Sequence, residues 1–300
     1  MATKRSWQRV DGVLLLDKPS GMTSNSALQS ARRLFSAAKA GHTGTLDPLA
    51  TGLLPLCFGE ATKFSSDLLE ADKTYEADVL FGITTDTGDA EGEVLVRRPV
   101  AFSPEDLEAA LARFRGPISQ IPPMYSAIKR DGKPLYELAR QGIEVERAAR
   151  AVTIHELVLL EISGDRCRLR VSCSKGTYIR TLAEDIGEFL RCGAHLTGLR
   201  RTRVGPLQIS DAVTLDQLSA LSEADRSTCL LAPDALLQSL PAVHLDEVAA
   251  SRFSHGNPVG AQAQPGRVRV YVNGCLLGMG EVDQAGQVQP RRLVCTAETP

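Results

Sequence analysis

The segment from Gly41 to Gly52 is the stretch that most restricts how this chain can fold. It contains three glycines and one proline within twelve residues, which is incompatible with an ordinary helix or strand. Glycine permits backbone angles that other residues resist, and Pro48 fixes its own φ and favours an extended conformation at Asp47. We therefore predict a tightly folded loop that holds the Asp47 carboxylate in one direction.

Loop chemistry alone leaves the role of Asp47 open. Asp and Gly are frequent turn residues, and an Asp that only caps a turn is the common case. A phosphate-binding loop is a second interpretation, but the Lys-Ser/Thr ending of a P-loop is missing from this segment. A catalytic carboxylate is the third, because a single acid on a rigid loop beside His42 is well placed to act on a substrate.

The composition is that of a globular protein with one large or two unequal domains. The chain has 300 residues, of which 43% are hydrophobic and 23% are charged, as is ordinary for globular proteins. No apolar run is long enough to cross a membrane, and residues 1–11 lack the apolar stretch of a signal peptide. We expect a cytoplasmic protein that does not associate with a membrane.

The net charge of −2 conceals an uneven distribution of charge along the chain. Residues 1–46 carry seven basic and two acidic side chains, and residues 165–203 carry nine basic and four acidic ones, a balance of +5 in each case. Residues 67–93 carry nine acids and one lysine, a balance of −8. A basic face that binds a polyanion is therefore compatible with the near-neutral total, and a mixed, solvated surface is the alternative.

Cysteine and histidine usage argues against a metal site. The seven cysteines are scattered, no Cys-x-x-Cys pair occurs, and the five histidines do not cluster near them, so we expect reduced thiols. Residues 82–93 are rich in Asp, Thr and Gly, but their acids lack the spacing of an EF-hand. We predict an ordinary loop there.

Hydrophobic periodicity and turn residues predict a chain of mixed helices and strands. Strands are predicted at residues 10–17, 53–58, 73–81, 125–129, 152–162, 166–173 and 195–204. Helices are predicted at residues 24–36, 59–70, 103–114, 133–141 and 177–192, with a helical stretch over 214–242. Residues 243–300 read as a small all-β unit. Residues 124–150 are rich in Lys and Arg and form a candidate mobile flap over a polyanion, with an ordinary solvated helix and loop as the alternative.

Segments spread over most of the chain resemble the bacterial TruB family of tRNA pseudouridine synthases, which modify the T-loop uridine at position 55. The Gly41–Gly52 loop resembles the family's signature loop. The other matching segments are Gly12–Asn25, Gly59–Lys63, Lys73–Tyr75, Ile121–Lys129, Cys173–Arg180, Cys192–Leu196, Leu199–Arg201, Gly278–Gly280 and Pro290–Leu293. The resemblance implies an α+β fold: a mixed, mostly antiparallel sheet flanked by helices. This catalytic domain would span residues 1–242, and a small C-terminal β-barrel, a PUA-like RNA-binding domain, would span residues 243–300.

The same resemblance implies three catalytic residues. Asp47 would be the essential carboxylate, Tyr75 would stack on the uracil, and Arg180 would pair with Asp47. The family's reaction breaks the C1′–N1 bond of uridine, turns the base and rejoins it through C5, so the resemblance implies neither a cofactor nor a metal. A carboxylate can serve by attacking the base or sugar, or by removing a sugar proton. The sequence leaves both routes open.

Five further residues are implied to bind the substrate or the RNA around it. Tyr178 and Leu199 would line the pocket, and Lys18 and Lys63 would contact phosphates. His42 is a candidate base by its ordinary pKa, but the resemblance implies that it holds the RNA loop open after the target base is flipped out. The structural alternatives are surface tyrosines, solvated lysines and, for Arg180, an arginine on a helix surface.

The leading hypothesis is therefore an isomerase whose partner is the T-arm of tRNA, acting as a monomer without a protein partner. A tRNA-binding or tRNA-folding module is the main alternative, although a pure binder has no reason to carry Asp47, Tyr75 and Arg180 together. A hydrolase with a carboxylate nucleophile, unrelated to RNA, is the third hypothesis. It predicts no salt-dependent RNA binding, whereas phosphate contacts weaken as salt rises.

Overall fold

Two β-sheets organise the fold, in a computed structural model that describes residues 6–130 and 132–295. Residues 1–5 and 296–300 of the two predicted domains, and Asp131 of the predicted flap, lie outside the described residues.

The strands of the described part are β1 (Gly12–Lys18), β2 (Ala40–His42), β3 (Thr51–Phe58), β4 (Lys73–Phe81), β5 (Ile83–Thr85), β6 (Val94–Arg97), β7 (Gly116–Gln120), β8 (Lys129–Arg130), β9 (Lys133–Pro134), β10 (Arg150–Ser163), β11 (Arg166–Cys173), β12 (Ala194–Val204), β13 (Leu207–Gln208), β14 (Leu230–Leu231), β15 (Ala242–His244), β16 (Val259–Gly260), β17 (Gly266–Val272), β18 (Cys275–Val282) and β19 (Gln287–Leu293). The α-helices are α1 (Ser24–Leu34), α2 (Ser65–Leu69), α3 (Pro104–Arg113), α4 (Leu135–Ala139), α5 (Ile179–Phe189), α6 (Leu215–Ala220), α7 (Glu223–Ser227) and α8 (Glu247–Ser254). Short 3-10 helices span Gly59–Phe64, Ile209–Asp211 and Pro233–Leu237.

The large sheet has the strand order β14-β1-β3-β12-β4-β11-β10-β7, with β13 paired to β12 and β2 paired to β3. Every pairing in it is antiparallel except that of β3 with β12. The predicted fold class, a mixed and mostly antiparallel sheet flanked by helices, is confirmed. The parallel pair lies in the middle of the sheet and becomes important for the site.

Apolar residues at strand and helix periods build a core on both faces of this sheet. Strand β1 is apolar on both faces and buried along most of its length, as expected of a central strand. Thr23 caps the start of helix α1, because its hydroxyl accepts a hydrogen bond from the Ser26 backbone N–H. The helix buries Ala27, Leu28 and Ala31. On the other part of the sheet, α3 and α5 cover β4 and β11. Both helices were predicted from the sequence with similar ends.

The second sheet is formed by the C-terminal part of the chain, with the order β15-β17-β18-β19-β16 around its own apolar core. This sheet agrees with the predicted small PUA-like unit. It contacts the helical segment after β3, where Arg267 and Arg292 lie beside Asp67. The exact boundary of the two domains at residue 242 stays a prediction.

Several predicted elements were wrong. Residues 125–129 were predicted as a strand but form bends, and only Lys129 and Arg130 pair with a neighbour, in the short β8–β9 hairpin. Residues 82–93 were predicted as a loop, yet β5 pairs with β6. The helical stretch over 214–242 is broken into α6, α7 and a 3-10 helix. Helix α8 was missed because it is short and carries only two buried side chains, Ala250 and Phe253.

Among the described residues, no helix is both long enough and apolar enough to span a bilayer.

Candidate active site

The site lies where β3 and β12 pair in parallel. Arg200 and Arg201 of β12 are the partners of Thr51 and Gly52 of β3. The loop between β2 and β3, which carries Asp47, therefore ends directly beside β12. On its other side β12 pairs with β4, and Arg201 is the partner of Tyr75. The register thus brings the Asp47 loop and Tyr75 to two sides of the same strand.

Close backbone contacts fix the loop that carries Asp47. Gly52 has a φ of +100°, and a Cβ built on it would lie 2.3 Å from the Arg201 carbonyl oxygen, so no larger residue fits without movement. Gly44 also has a positive φ, +87°. The Ser24 hydroxyl at the start of α1 accepts a hydrogen bond from the Leu46 N–H at 2.8 Å and donates to the Leu46 carbonyl at 2.9 Å. The structure contains the tightly folded loop that the sequence predicts.

Arg180 joins two carboxylates. One terminal guanidinium nitrogen lies 3.1 Å from Oδ2 of Asp47, and Nε lies 3.7 Å from Oδ2 of Asp89. The Arg180 side chain is 6% exposed, whereas that of Asp47 is 41% exposed. Asp89 is buried and also accepts hydrogen bonds from the Thr87 hydroxyl and the Glu91 N–H. The pair predicted from the resemblance, Asp47 with Arg180, is therefore formed in the structure.

Backbone carbonyls hold the remaining donors of Arg180. Its guanidinium donates to the Thr87 carbonyl at 2.8 Å and to the Tyr125 carbonyl at 2.6 Å. Arg180 is the second residue of α5, and Tyr178 is the residue that caps the start of this helix. Four polar contacts from three loops thus restrict the guanidinium to one position.

Opposing influences act on the pKa of Asp47. Desolvation by the surrounding protein raises the pKa of this carboxyl, and the neighbouring Asp89 raises it further. The Arg180 guanidinium lowers the pKa, as does the Lys18 ammonium to a smaller extent. The net direction is upward because burial penalises the charged form. A carboxylate that is partly desolvated but oriented by an arginine is suited to act as a nucleophile or base.

Tyr75, Leu199 and Tyr178 lie near the Asp47 loop. Tyr75 and Leu199 are half-buried and contact the apolar cores on both faces of the sheet. Tyr178 is held through its backbone, since its N–H donates to the Gln120 side-chain oxygen and its carbonyl accepts from the Gln120 amide. Burial raises the pKa of both tyrosine hydroxyls, so they stay protonated at neutral pH. The structure brings these predicted pocket residues to the Asp47 loop.

His42 is the last residue of β2, at the start of the loop. Its ring is half-buried, and its Nδ1 atom is buried without a hydrogen-bond partner among the described residues. Burial lowers the pKa of His42, and the nearby Arg201 charge lowers it further. The imidazole is therefore neutral at neutral pH, and an ion pair with a phosphate is not favoured.

Lys18 does not have the predicted geometry of a phosphate contact. Its side chain is fully buried, and its ammonium donates to the carbonyls of Pro19 at 2.8 Å, Met22 at 2.6 Å and Pro48 at 3.4 Å. Burial lowers its pKa to about 8. Because Pro48 follows Asp47, the Lys18 ammonium supports the Asp47 loop from inside the protein and cannot reach an RNA phosphate in this conformation.

Lys63 likewise serves a contact inside the protein. Its ammonium lies 2.7 Å from the Glu60 carboxylate and donates to the Leu293 carbonyl of β19 at 2.9 Å. These bonds connect the segment after β3 to the C-terminal sheet. The predicted phosphate contact is not supported by this arrangement, because the charge already has a carboxylate partner.

The arginine side chains on the outer face of β11 are partly neutralised. Arg168 forms an ion pair with Asp78 of β4, and Arg170 forms one with Glu156 of β10. Both pairs join neighbouring strands of the sheet. The alternation of arginines in β11 therefore reflects cross-strand pairing as well as exposure.

Sequence reasoning missed two residues of the site. Asp89 lay among many acids of a Gly- and Asp-rich loop, and nothing in its spacing set it apart. Arg201 lay in the basic segment 165–203 and in the matching segment Leu199–Arg201, but it was given no role of its own. Its alternation with Arg200 along β12 was the available signal, since one of two successive strand residues must face inward.

No cofactor was expected from the sequence. Within residues 6–130 and 132–295, no group of three or more His, Cys, Asp and Glu side chains is arranged to hold a metal ion. The expectation of chemistry without a metal or cofactor stays a prediction.

Comparison with known proteins adds the decisive observation. Residues 32–179 match the model of the TruB family pseudouridylate synthase N-terminal domain. Residues 180–241 match the tRNA pseudouridylate synthase B C-terminal domain, and residues 241–294 match the C-terminal domain of pseudouridine synthase II TruB. The tRNA pseudouridine synthase B of Dechloromonas aromatica is 62% identical over 99% of this chain and 100% of that protein.

The chain belongs to the TruB family of pseudouridylate synthases.

Other relatives agree with this membership. The tRNA pseudouridine synthase B of Aromatoleum aromaticum is 60% identical over 97% of this chain and 94% of its own length. A chain in the crystal structure of a Cbf5-Nop10-Gar1 complex superimposes with a TM-score of 0.70 at 28% identity, covering 90% of this chain and 78% of that one. The family predicted from the sequence segments is confirmed, and the TruB fold accounts for both sheets.

Proposed function

We propose that this TruB-family protein converts the T-loop uridine at position 55 of tRNA to pseudouridine, with Asp47 as the catalytic carboxylate. The relatives that cover nearly the whole chain are named tRNA pseudouridine synthase B, which supports tRNA as the substrate. The observation that carries the proposal is the Asp47–Arg180 pair, with its carboxylate partly exposed and its arginine buried. That arrangement presents one oriented carboxylate to a substrate.

The geometry favours Asp47 over any other residue of the site for the chemical step. Arg180 holds one carboxylate oxygen, and the exposed part of the side chain leaves the group accessible. Two routes suit such a group: attack on the base or sugar, or removal of a sugar proton once the C1′–N1 bond has broken. In either route the carboxylate must be ionised, which the Arg180 charge favours.

Tyr75, Leu199 and Tyr178 supply the walls of the uridine pocket in this proposal. Tyr75 offers a ring for stacking on the uracil, a contact that is worth about 1–3 kcal/mol for a base on an aromatic side chain. Leu199 stands two residues before Arg201 on β12 and bounds the pocket on the sheet side. The neutral hydroxyl of Tyr178 can donate a hydrogen bond to the substrate.

His42 is proposed to keep the RNA loop open after the target base is flipped out. Flipping costs a few kcal/mol of unstacking, which protein contacts must offset. A neutral imidazole suits this role, because burying an uncharged ring against bases avoids the penalty of desolvating a charge.

The predicted flap, residues 124–150, supplies cations for the RNA backbone. Arg150 lies near Lys129 and Arg130 around a cleft of about 370 Å³. Arg130 is bonded to the Glu146 carbonyl, a neutral group, so its charge is available to a phosphate. We propose that the flap contacts the T-arm, in place of the buried Lys18 and the paired Lys63.

The protein would act in the cytoplasm as a monomer without a protein partner, and sedimentation of the protein with and without tRNA tests this stoichiometry.

An unmodified tRNA transcript provides the test. Incubation with the purified protein, followed by chemical mapping of pseudouridine, should show modification at the T-loop uridine and at no other uridine. A transcript with cytidine at that position is the matched control and should remain unmodified. Modification at another site, or none in the wild-type transcript, would overturn the proposal.

A further inference from the structure

Arg201 is a buried cation beneath the Asp47 loop. Its side chain is the largest of those that are fully buried, with 1% of the residue exposed. Within the described residues, its guanidinium has no carboxylate partner. It donates hydrogen bonds to two neutral groups, the Leu53 carbonyl at 2.8 Å and the Gly44 carbonyl at 3.2 Å, and the Tyr75 side chain lies beside it across the β12–β4 pair. Burial lowers the pKa of Arg201, which reflects the cost of keeping a charge at this place.

Fold stability alone gives a poor account of this guanidinium. Removing a charge from water costs several kcal/mol even after relaxation, and a well-packed apolar side chain of similar volume often serves a core equally well or better. Arg201 also lacks the counter-charge that offsets such a cost in buried ion pairs. We therefore attribute the arginine at this position to a role in the site and not to core packing.

The bonds of Arg201 connect the parts of the site that must be aligned. Gly44 precedes Asp47 in the loop, and Leu53 follows the loop on β3, so the guanidinium bonds the loop on both sides of Asp47. Its backbone lies against Gly52, where no Cβ fits. Its third contact is Tyr75, the residue directly opposite on β4. One planar group thus spans the loop and the aromatic residue.

We propose that Arg201 is a positioning residue, which fixes the Asp47 loop and the Tyr75 ring relative to each other by bonding the loop and packing beside Tyr75. The inference rests on the proposed roles of Asp47 and Tyr75 and adds a residue that sequence comparison of motifs leaves without a role. Arg201 itself does not reach the substrate, because the loop and Tyr75 cover it.

The planar fork is the property that this role requires. A lysine at the same place keeps the charge, but its single ammonium cannot hold the same set of separated acceptors in fixed directions. Misplacement of a reacting group by about 1 Å can lower a rate about 100-fold. Substitution of Arg201 should therefore slow the chemical step and leave the affinity for tRNA unchanged, since the RNA contacts lie elsewhere.

The test compares Arg201→Lys and Arg201→Met with the wild-type protein and with Arg203→Met. Arg203 stands on the same strand but is exposed, and its Nε donates to the Gly205 carbonyl. For each variant the rate of pseudouridine formation is measured in single turnover at saturating tRNA, with the tRNA Kd and the thermal unfolding temperature. Rates are taken well below the unfolding temperature of the least stable variant.

We expect both Arg201 variants to lose at least about 100-fold in single-turnover rate, with a tRNA Kd within about threefold of wild type. Arg201→Lys should lower the single-turnover rate strongly while lowering the unfolding temperature only slightly. Arg203→Met should have the wild-type rate. A folded Arg201→Lys or Arg201→Met protein with a wild-type rate would overturn the proposal. Failure of both variants to fold would also overturn it, by making Arg201 a structural residue only.

A double-mutant cycle tests the connection to Tyr75. Tyr75→Phe removes the hydroxyl that interacts with the Arg201 guanidinium, so Arg201→Lys should cost at least threefold less in rate in the Tyr75→Phe background than in wild type. Fully additive effects would contradict a role through Tyr75. Failure of this inference can be distinguished from failure of the proposed function. A wild-type protein that forms no pseudouridine contradicts the function. An active wild type with equally active Arg201 variants contradicts only this inference.

Discussion

The guanidinium of Arg180 lies 3.1 Å from the Asp47 carboxylate, and the two side chains differ sharply in exposure, 6% for Arg180 and 41% for Asp47. The arginine therefore lies behind the carboxylate and leaves its front open to a substrate. A buried arginine that is also bonded to the Thr87 and Tyr125 carbonyls has little freedom to turn away. The contact is an orienting one, and the loop and helix that it joins come from distant parts of the chain.

Replacing Arg180 with Lys should reduce the single-turnover rate of pseudouridine formation by about 100-fold or more. Loss of one preorganised polar contact in an active site costs about 100- to 1,000-fold in rate, and lysine cannot reproduce the fork that bonds Asp47, Thr87 and Tyr125 together. Arg113→Lys, at an exposed position of α3, is the matched control and should be unaffected. A wild-type rate for Arg180→Lys would show that the pair does not orient Asp47.

Asp89→Asn should move the acidic limb of the pH–rate profile to lower pH. Asp89 raises the pKa of Asp47 by charge repulsion, so removing its charge lowers that pKa. Asp47 must be ionised to act, and activity is lost as pH falls through its pKa, so a lower pKa extends activity to more acidic solutions. The measurement is the single-turnover rate as a function of pH for both proteins. A limb that stays in place, or moves to higher pH, would contradict the proposed influence of Asp89.

Lys18→Met should destabilise the protein without changing how RNA binding depends on salt. The substitution leaves the Pro19, Met22 and Pro48 carbonyls without the ammonium, and an unsatisfied buried polar group costs about 1–3 kcal/mol. Urea unfolding measures this loss, and the exposed Lys39→Met should leave stability within about 0.5 kcal/mol of wild type. Loss of a phosphate contact would instead reduce the salt slope of tRNA binding by about 1, and that result would restore the phosphate role.

Gly52→Ala should be strongly destabilising, and Gly41→Ala in the same segment should not. A Cβ at Gly52 would lie 2.3 Å from the Arg201 carbonyl oxygen, and the Gly52 backbone has a φ of +100°. A Cβ at Gly41 would meet nothing within 4 Å. Overpacking and a left-handed backbone each cost about 1–3 kcal/mol. The free energies of unfolding in urea should differ accordingly, and equal stabilities would mean that β3 and β12 are not so closely paired.

Strands with alternating apolar and polar residues, and strands that are apolar throughout, were predictable from the sequence. The predicted β4 and β11 have the bounds seen in the structure, because a period of two is a strong local signal. The rigid loop around Asp47 was predictable for a similar reason, since Gly and Pro act through local backbone geometry.

Contacts between distant segments were not predictable in the same way. Lys18 follows an apolar strand, and nothing local indicates that its ammonium turns back to three carbonyls. The flap segment at 125–129 looked like a strand, but only its last residue, Lys129, pairs with a neighbouring strand, and the backbone bends before it. Asp89 and Arg201 acquire their roles only when the sheet places them beside Arg180 and Tyr75. The resemblance to the family supplied Asp47, Tyr75 and Arg180 but not these two supports.

The most direct test of the account is the activity of Asp47→Asn on an unmodified tRNA transcript. Asparagine keeps the size of the side chain and removes only the charge, so the loop and the tRNA affinity should be preserved. We predict that no pseudouridine forms at the T-loop uridine in a single-turnover experiment, while the tRNA Kd and the unfolding temperature match those of wild type. Pseudouridine formation at the wild-type rate would contradict the central claim that Asp47 is the catalytic carboxylate.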